Sequence, residues 1–194
     1  MKKPSEKGFA YERKVAKELS LWFSDGENPN IFWRTAGSGG RASRQKAFLG
    51  ASYGDIGLLD PVGEPLLRIV TWELKKGYTK DLDIIDLLDG KTANMFEKFW
   101  LKACKDADQA FVAGWGSAPF LVIRRNNKMP LLVMHYAFHL KLIDYCGPMK
   151  EGPLASLRKG NILIRIMRLN DFLDWCSPGV FYDLYKAKRF AEVK

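Results

Sequence analysis

The sequence predicts an α/β fold in which helices flank a central mixed β-sheet. Residues 5–23 and 92–113 carry apolar side chains at a helical period. Short apolar runs bounded by turn residues lie between these segments and after them, as is typical of strands. The predicted order is therefore helix, three strands, helix and strand, with further elements towards the C-terminus.

The predicted strands are short and rich in apolar residues: 31–34, 55–59, 66–75, 119–123, 130–134 and 162–166. The segment DPVGEP at residues 60–65 predicts a turn, so the second and third strands are expected to form a hairpin. The acidic residues 81–89 predict a short amphipathic helix or an ordered loop, and residues 171–175 lie in a predicted helical region.

The length of the chain indicates the number of domains, and its net charge indicates the kind of partner. At 194 residues the chain is expected to form one domain, with a core at about 5–135 and a C-terminal elaboration at about 136–194. There are 31 Lys and Arg against 22 Asp and Glu, a net charge of +9. This surplus favours a polyanionic partner, nucleic acid before membrane, while a solvated basic surface explains it equally well.

The expected compartment is the cytoplasm of a prokaryotic or phage-infected cell. The first residues lack the apolar region of a secretory signal, and no apolar run is long enough to span a membrane. Three scattered cysteines without a C-x-x-C pair indicate reduced thiols: Cys104, Cys146 and Cys176.

One acidic residue of the first helix is predicted to face the core. At 100° per residue, Ala16 and Leu19 lie about 40° and 20° from Glu12 around the helix axis. Glu12 therefore falls in the middle of the apolar stripe. Burying a carboxylate is costly unless it is paired or binds a cation. A structural ion pair and a cation site both stay open for this residue.

The strand at residues 66–75 ends in charge although both of its faces are mostly apolar. Such a strand is buried on both sides, so its charged end is expected to open onto a cleft. With a period of two, Glu73 and Lys75 share one face. The alternative is a strand end that reaches water and forms a common Glu–Lys pair.

The predicted hairpin would bring Asp55 opposite Trp72 and Glu73, provided that the register is correct. Glu12, Asp55 and Glu73 would then converge beside Lys75, and the backbone carbonyl of Leu74 is a further candidate ligand. An oxygen-rich site of this kind suits Mg²⁺, or Mn²⁺ in its place. A bound cation can activate water for the hydrolysis of a phosphodiester. A basic chain with this site points to a nuclease.

The same residues resemble a known signature. Asp55 followed by Glu73-Leu74-Lys75 matches the D…(D/E)-x-K pattern of the PD-(D/E)XK nucleases, with Gly54 where the first Pro would stand. Within that superfamily the chain most resembles the archaeal and phage type of Holliday junction resolvase. The resemblance adds a helix block, ERKV at residues 12–15 (one residue shorter than in those resolvases), and an Arg strand with a G-S-G loop at residues 34–39.

The resemblance implies a restriction-endonuclease-like fold, a divalent cation and DNA as substrate. Asp55 and Glu73 would be metal ligands with Glu12 at or beside them, and Lys75 would be the catalytic lysine. Arg13, Arg34 and Ser38 would contact DNA phosphates or support catalysis. Such resolvases act in DNA recombination and repair, as homodimers that cut two opposed strands of a four-way junction. The extra chain between residues 38 and 55, the acidic insertion and the C-terminal part depart from the compact pattern.

Residues 37–46 form a basic Gly/Ser/Arg segment. It fits the dinucleotide fingerprint G-x-G-x-x-A, but residues 41–46 lack the apolar face of the helix that should follow. Phosphate contact through Arg41, Arg44 and Lys46 explains the segment better, and Lys76 is a further candidate for DNA contact. A restriction-like nuclease, an exonuclease and a catalytically silent DNA-binding module stay open as alternatives.

Overall fold

The computed structural model describes residues 4–35, 53–77, 95–159 and 162–192. Within these ranges the elements follow one another as α1 (Pro4–Phe23), β1 (Phe32–Arg34), β2 (Ile56–Leu58), a 3₁₀ turn (Pro61–Gly63), α2 (Glu64–Leu67), β3 (Val70–Lys76), α3 (Met95–Val112), β4 (Ala118–Arg124), β5 (Leu131–His135), α4 (Tyr136–Cys146), β6 (Ala155–Lys159), β7 (Ile162–Arg168), α5 (Leu169–Trp175) and α6 (Gly179–Glu192). The predicted acidic element at residues 81–89 lies outside the described residues.

The central sheet of the described chain has five strands in the order β3-β4-β5-β7-β6. β3 and β4 run parallel, whereas the other neighbours run antiparallel. Helices cover both faces of this mixed sheet. The predicted α/β class and the restriction-endonuclease-like architecture are therefore confirmed.

The two faces of the sheet pack on different helices because side chains alternate along each strand. Leu121 and Ile123 of β4 face α3, where they meet Phe96, Phe99 and Trp100. On the other face, Trp72 packs edge-on against Phe120, 5.0 Å between ring centroids. The buried side chains on this face form a second cluster, which extends to apolar residues of α1, α4, α5 and α6.

The predicted hairpin between residues 55–59 and 66–75 is wrong. β2 pairs with β1 instead, with Trp33 opposite Gly57. Residues 61–67 form the 3₁₀ turn and α2, because Asp60 caps the turn by accepting a hydrogen bond from the Val62 amide at 3.0 Å. Pro61 and Pro65 occupy first-turn helical positions that need no amide hydrogen. β3 therefore begins only at Val70.

The C-terminal residues contribute to the same core. β7 pairs with β5 and carries β6 at the edge of the sheet. Leu142, Phe172 and Phe181 are fully buried in the cluster that also contains Leu19 of α1. None of the helices within the described ranges combines the length and the apolar character that a membrane-spanning helix needs.

Candidate active site

Asp55 lies directly beside the end of β3. Its amide donates a hydrogen bond to the Trp72 carbonyl at 2.7 Å, and its carboxylate Oδ2 accepts one from the Leu74 amide at 2.7 Å. Its carbonyl accepts a third from the Thr35 amide at 3.0 Å. Although the hairpin does not form, Asp55 is held opposite Trp72 and next to Glu73. Only 7% of the residue is exposed.

Gly54 allows this close approach. Its φ of +74° lies in the left-handed region, and a Cβ at this position would lie 2.3 Å from the Trp72 carbonyl oxygen. A side chain is therefore excluded on two grounds, backbone conformation and space. The Thr35 hydroxyl donates to the Gly54 carbonyl at 2.7 Å and fixes the turn.

Glu73 is fully buried and carries a lysine on each carboxylate oxygen. The Lys75 ammonium donates to Oε1, and the Lys102 ammonium donates to Oε2 at 2.6 Å. Lys102 also donates to Asp106 Oδ2 at 2.7 Å, one helical turn further along α3. The Lys75 ammonium lies 5.5 Å from the centroid of the Phe99 ring, within the range of a cation–π contact.

Asp55 and Glu73 repel each other in this buried setting. Burial raises the pKa of Asp55, and the nearby charge of Glu12 raises it further, against the Leu74 amide and Lys75. Burial also raises the pKa of Glu73, and the charge of Asp55 adds to that effect, against Lys75 and Lys102. Two carboxylates whose negative charges oppose each other form a site that a bound cation would stabilise.

A family model described as “Phage putative PDDEXK endonuclease” matches residues 3–147. The chain belongs to this family. The residues that resemble the PD-(D/E)XK signature, Asp55 and Glu73-Leu74-Lys75, fall within the matched part and lie in the buried carboxylate site. No curated protein and no solved structure matches the chain significantly.

The site of this PD-(D/E)XK protein fits a hard divalent cation. The Lys75 ammonium lies 3.5 Å from the Leu74 carbonyl oxygen while it also binds Glu73 Oε1. A positive charge thus already occupies the space between two of the expected ligand oxygens. Carboxylate and carbonyl oxygens are the donors that Mg²⁺ and Mn²⁺ prefer.

The predicted convergence of three carboxylates needs correction. Glu12 lies on the buried face of α1, but its carboxylate pairs with the Arg34 guanidinium at 3.0 Å. In the part of the chain that is described, no group of three or more His, Cys, Asp or Glu side chains is placed to hold one metal ion. Glu12, although paired with Arg34, therefore acts on Asp55 through its charge instead of joining a site of three carboxylates.

Lys102 was not predicted from the sequence. Gln109, another polar residue of α3, is exposed. Lys102, seven residues earlier, makes the contact with Glu73. Burial lowers its pKa, but the hydrogen bonds to Asp106 and Glu73 outweigh burial and raise it. In the sequence, Lys102 and Asp106 look like an ordinary i, i+4 surface pair, so no signal set them apart.

The candidate DNA contacts are only partly described. Arg13 is exposed, and Lys76 lies 5.7 Å from the centroid of the Tyr11 ring. Arg34 is held between Glu12 and the Phe9 ring, 4.1 Å from its centroid. Arg34 is therefore held on α1 instead of reaching freely into solvent. The remaining candidates lie outside the described residues: Ser38, Arg41, Arg44 and Lys46.

Proposed function

We propose that this protein is a divalent-metal-dependent DNA endonuclease that hydrolyses phosphodiester bonds at the end of β3. The observation that carries the proposal is the burial of Asp55 and Glu73 as adjacent, mutually repelling carboxylates beside Lys75. Lys75 and Lys102 both pair with Glu73, and no lysine or arginine of the described residues forms an ion pair with the Asp55 carboxylate. A cation bound by both carboxylates would supply the positive charge that Asp55 lacks.

The residues of the site have distinct roles in this proposal. Asp55, Glu73 and the Leu74 carbonyl would hold Mg²⁺, or Mn²⁺ in its place. The cation would supply a Lewis acid and a more acidic bound water. Lys75 places a compact positive charge where the cleaved phosphate would develop negative charge. Lys102 holds Glu73 in position from the opposite oxygen, and Asp106 orients Lys102.

We further infer that the substrate is branched DNA, a four-way junction first of all. The support is the ordered resemblance of residues 8–77 to junction resolvases. In that role the protein would act as a homodimer on DNA recombination or repair intermediates, in the cytoplasm of a prokaryotic or phage-infected cell. A second subunit would supply the second active site needed to cut both opposed strands.

The test is a cleavage assay with Mg²⁺ on matched four-way junction, linear duplex and single-stranded DNA. Paired symmetric nicks in the junction, at least about tenfold faster than cutting of the duplex, are expected. Equal cutting of linear duplex would remove the junction assignment and leave a general endonuclease. Salt-sensitive DNA binding without cleavage in Mg²⁺ or Mn²⁺ would instead indicate a silent binding module.

The Lys102→Met variant is expected to move the acidic limb of the pH–rate profile to higher pH. Lys102 lowers the pKa of both Glu73 and Asp55, so its removal leaves both carboxyls harder to ionise. Lys105→Met, on the same helix but exposed, is the matched control and should keep the wild-type profile. An acidic limb that stays in place in Lys102→Met would exclude the assigned role of Lys102.

A further inference from the structure

The turn between β4 and β5, residues 124–128, is a concentrated positive surface. Arg124, Arg125 and Lys128 fall within five residues, and the turn contains no acidic residue. Arg125 and Lys128 are exposed, and no carboxylate of the described residues pairs with either of them. Like charges placed together repel each other, and a polyanion that lies against them would offset this repulsion.

This turn has a defined conformation. The Lys128 amide donates to the Arg125 carbonyl at 3.3 Å, and Arg124 Nε donates to the Lys128 carbonyl at 3.2 Å. Asn127 adopts a left-handed φ of 55°, which asparagine tolerates better than most residues. Arg124 also lies 6.0 Å from the Tyr11 ring that Lys76 contacts. The backbone of the turn is therefore fixed, and the side chains of Arg125 and Lys128 extend from a defined position.

The turn lies at the same end of the sheet as the carboxylates. In the parallel ladder Lys75 is opposite Ile123, and Lys76 is opposite Arg124. Arg125 follows Ile123 by two residues, so its Cα lies roughly 8 Å from that of Lys75, given neighbouring strands about 4.8 Å apart and a rise of about 3.3 Å per residue. Successive phosphates along one DNA strand advance by about 3.4 Å along the helix axis. The turn is thus close enough to contact a phosphate that neighbours one bound beside Lys75.

We propose that residues 124–128 form a DNA-binding turn, in which Arg125 and Lys128 contact backbone phosphates beside the cleaved bond. The proposal rests on the proposed nuclease function and adds an interaction surface to the same site. These contacts are made to phosphates, so they position the substrate without reading its sequence. The same phosphate contacts can form with the duplex arms of a junction and with linear DNA.

The test compares wild type with the double variant Arg125→Gln/Lys128→Gln in DNA binding without divalent metal, by fluorescence anisotropy over a range of salt concentrations. Each lost phosphate contact makes the negative slope of log K against log salt concentration shallower by about 0.9. At 0.1 M salt this weakens DNA binding about eightfold. We expect the double variant to lose about 1.8 in slope and to bind about 60-fold more weakly.

The control removes the same charges elsewhere, as Lys141→Gln/Arg158→Gln. Both residues are exposed; Lys141 lines a cavity of about 830 Å³ that also borders Ala118 at the opposite end of β4, and Arg158 lies on the edge strand β6. The control should bind like wild type. Equal salt slopes in the turn variant and wild type would overturn the assignment of the turn and leave the nuclease proposal in place. Equal losses of DNA affinity in both double variants would have the same consequence. If wild type itself fails to bind DNA, the proposed nuclease function fails with it.

Discussion

The Asp55→Asn variant is expected to abolish cleavage while it leaves the fold and DNA binding intact. Asparagine keeps an oxygen that can accept the hydrogen bond from the Leu74 amide but loses the charge that would hold a cation. A bound metal ion contributes several kcal/mol to transition-state stabilisation, and each 1.36 kcal/mol is a factor of ten in rate. We therefore expect a loss of at least about 10³-fold in kcat, measured on the preferred substrate with Mg²⁺.

The same variant is expected to be more stable than wild type at neutral pH without divalent metal. The pKa of Asp55 is higher in the folded than in the unfolded chain, so the folded state binds more protons in the interval between the two values. The resulting stabilisation is present below the unfolded pKa and is lost as the pH rises through the folded pKa. Asparagine stays neutral and avoids this loss.

A thermal scan with and without Mg²⁺ measures this effect. We expect the Tm of Asp55→Asn to rise, and in a domain of this size each 1 kcal/mol of stabilisation raises Tm by about 2–4 °C. Mg²⁺ should stabilise wild type but not the variant. Asp144→Asn, an exposed aspartate of α4, should change neither property. Wild-type cleavage by Asp55→Asn would mean that the metal site lies elsewhere.

The Lys75→Met variant is expected to lower kcat by about 10²–10³-fold with little change in KM, the range observed when one group that stabilises developing charge is removed. Methionine preserves much of the side-chain volume, and Lys102 still neutralises Glu73. Circular dichroism should therefore show a folded protein.

Lys76→Met is the matched comparison for this prediction. Lys76 is the last residue of β3 and follows Lys75, but it points to the opposite face, towards Tyr11. Its loss should raise KM through weaker DNA binding and leave kcat close to wild type. Similar changes in kcat and KM for the two variants would show that the two faces of the strand are not separated in function.

The sequence allowed prediction of the parts of the fold in which one period dominates. α1 and α3 have long amphipathic patterns, and the apolar run that ends in Trp72 and Glu73 identified β3, which lies at one edge of the five-stranded sheet. The placement of Asp55 beside β3 was also reached correctly, although through a hairpin that does not form. The backbone hydrogen bond between Asp55 and Trp72 gives the same neighbours by a different connection.

The errors have physical causes. Leu66 and Leu67 are apolar and follow a proline-rich turn, and a short apolar run has the same composition in a strand and in a helical turn. Here it forms α2. Glu12 lies on the buried face as predicted, but periodicity carries no information on whether Arg34 or a metal ion will neutralise it. Lys102 lies 29 residues from Glu73 in the chain, and only tertiary packing brings the two together.

Gly54 has a consequence for how such nucleases are found by motif. The backbone at this position has a φ of +74°, whereas the ring of proline holds φ near −65°. The proline after which the superfamily is named therefore cannot be restored here without rebuilding the turn that presents Asp55. A pattern that demands proline before the aspartate would pass over this chain. A pattern that accepts either glycine or proline before the aspartate would retain it.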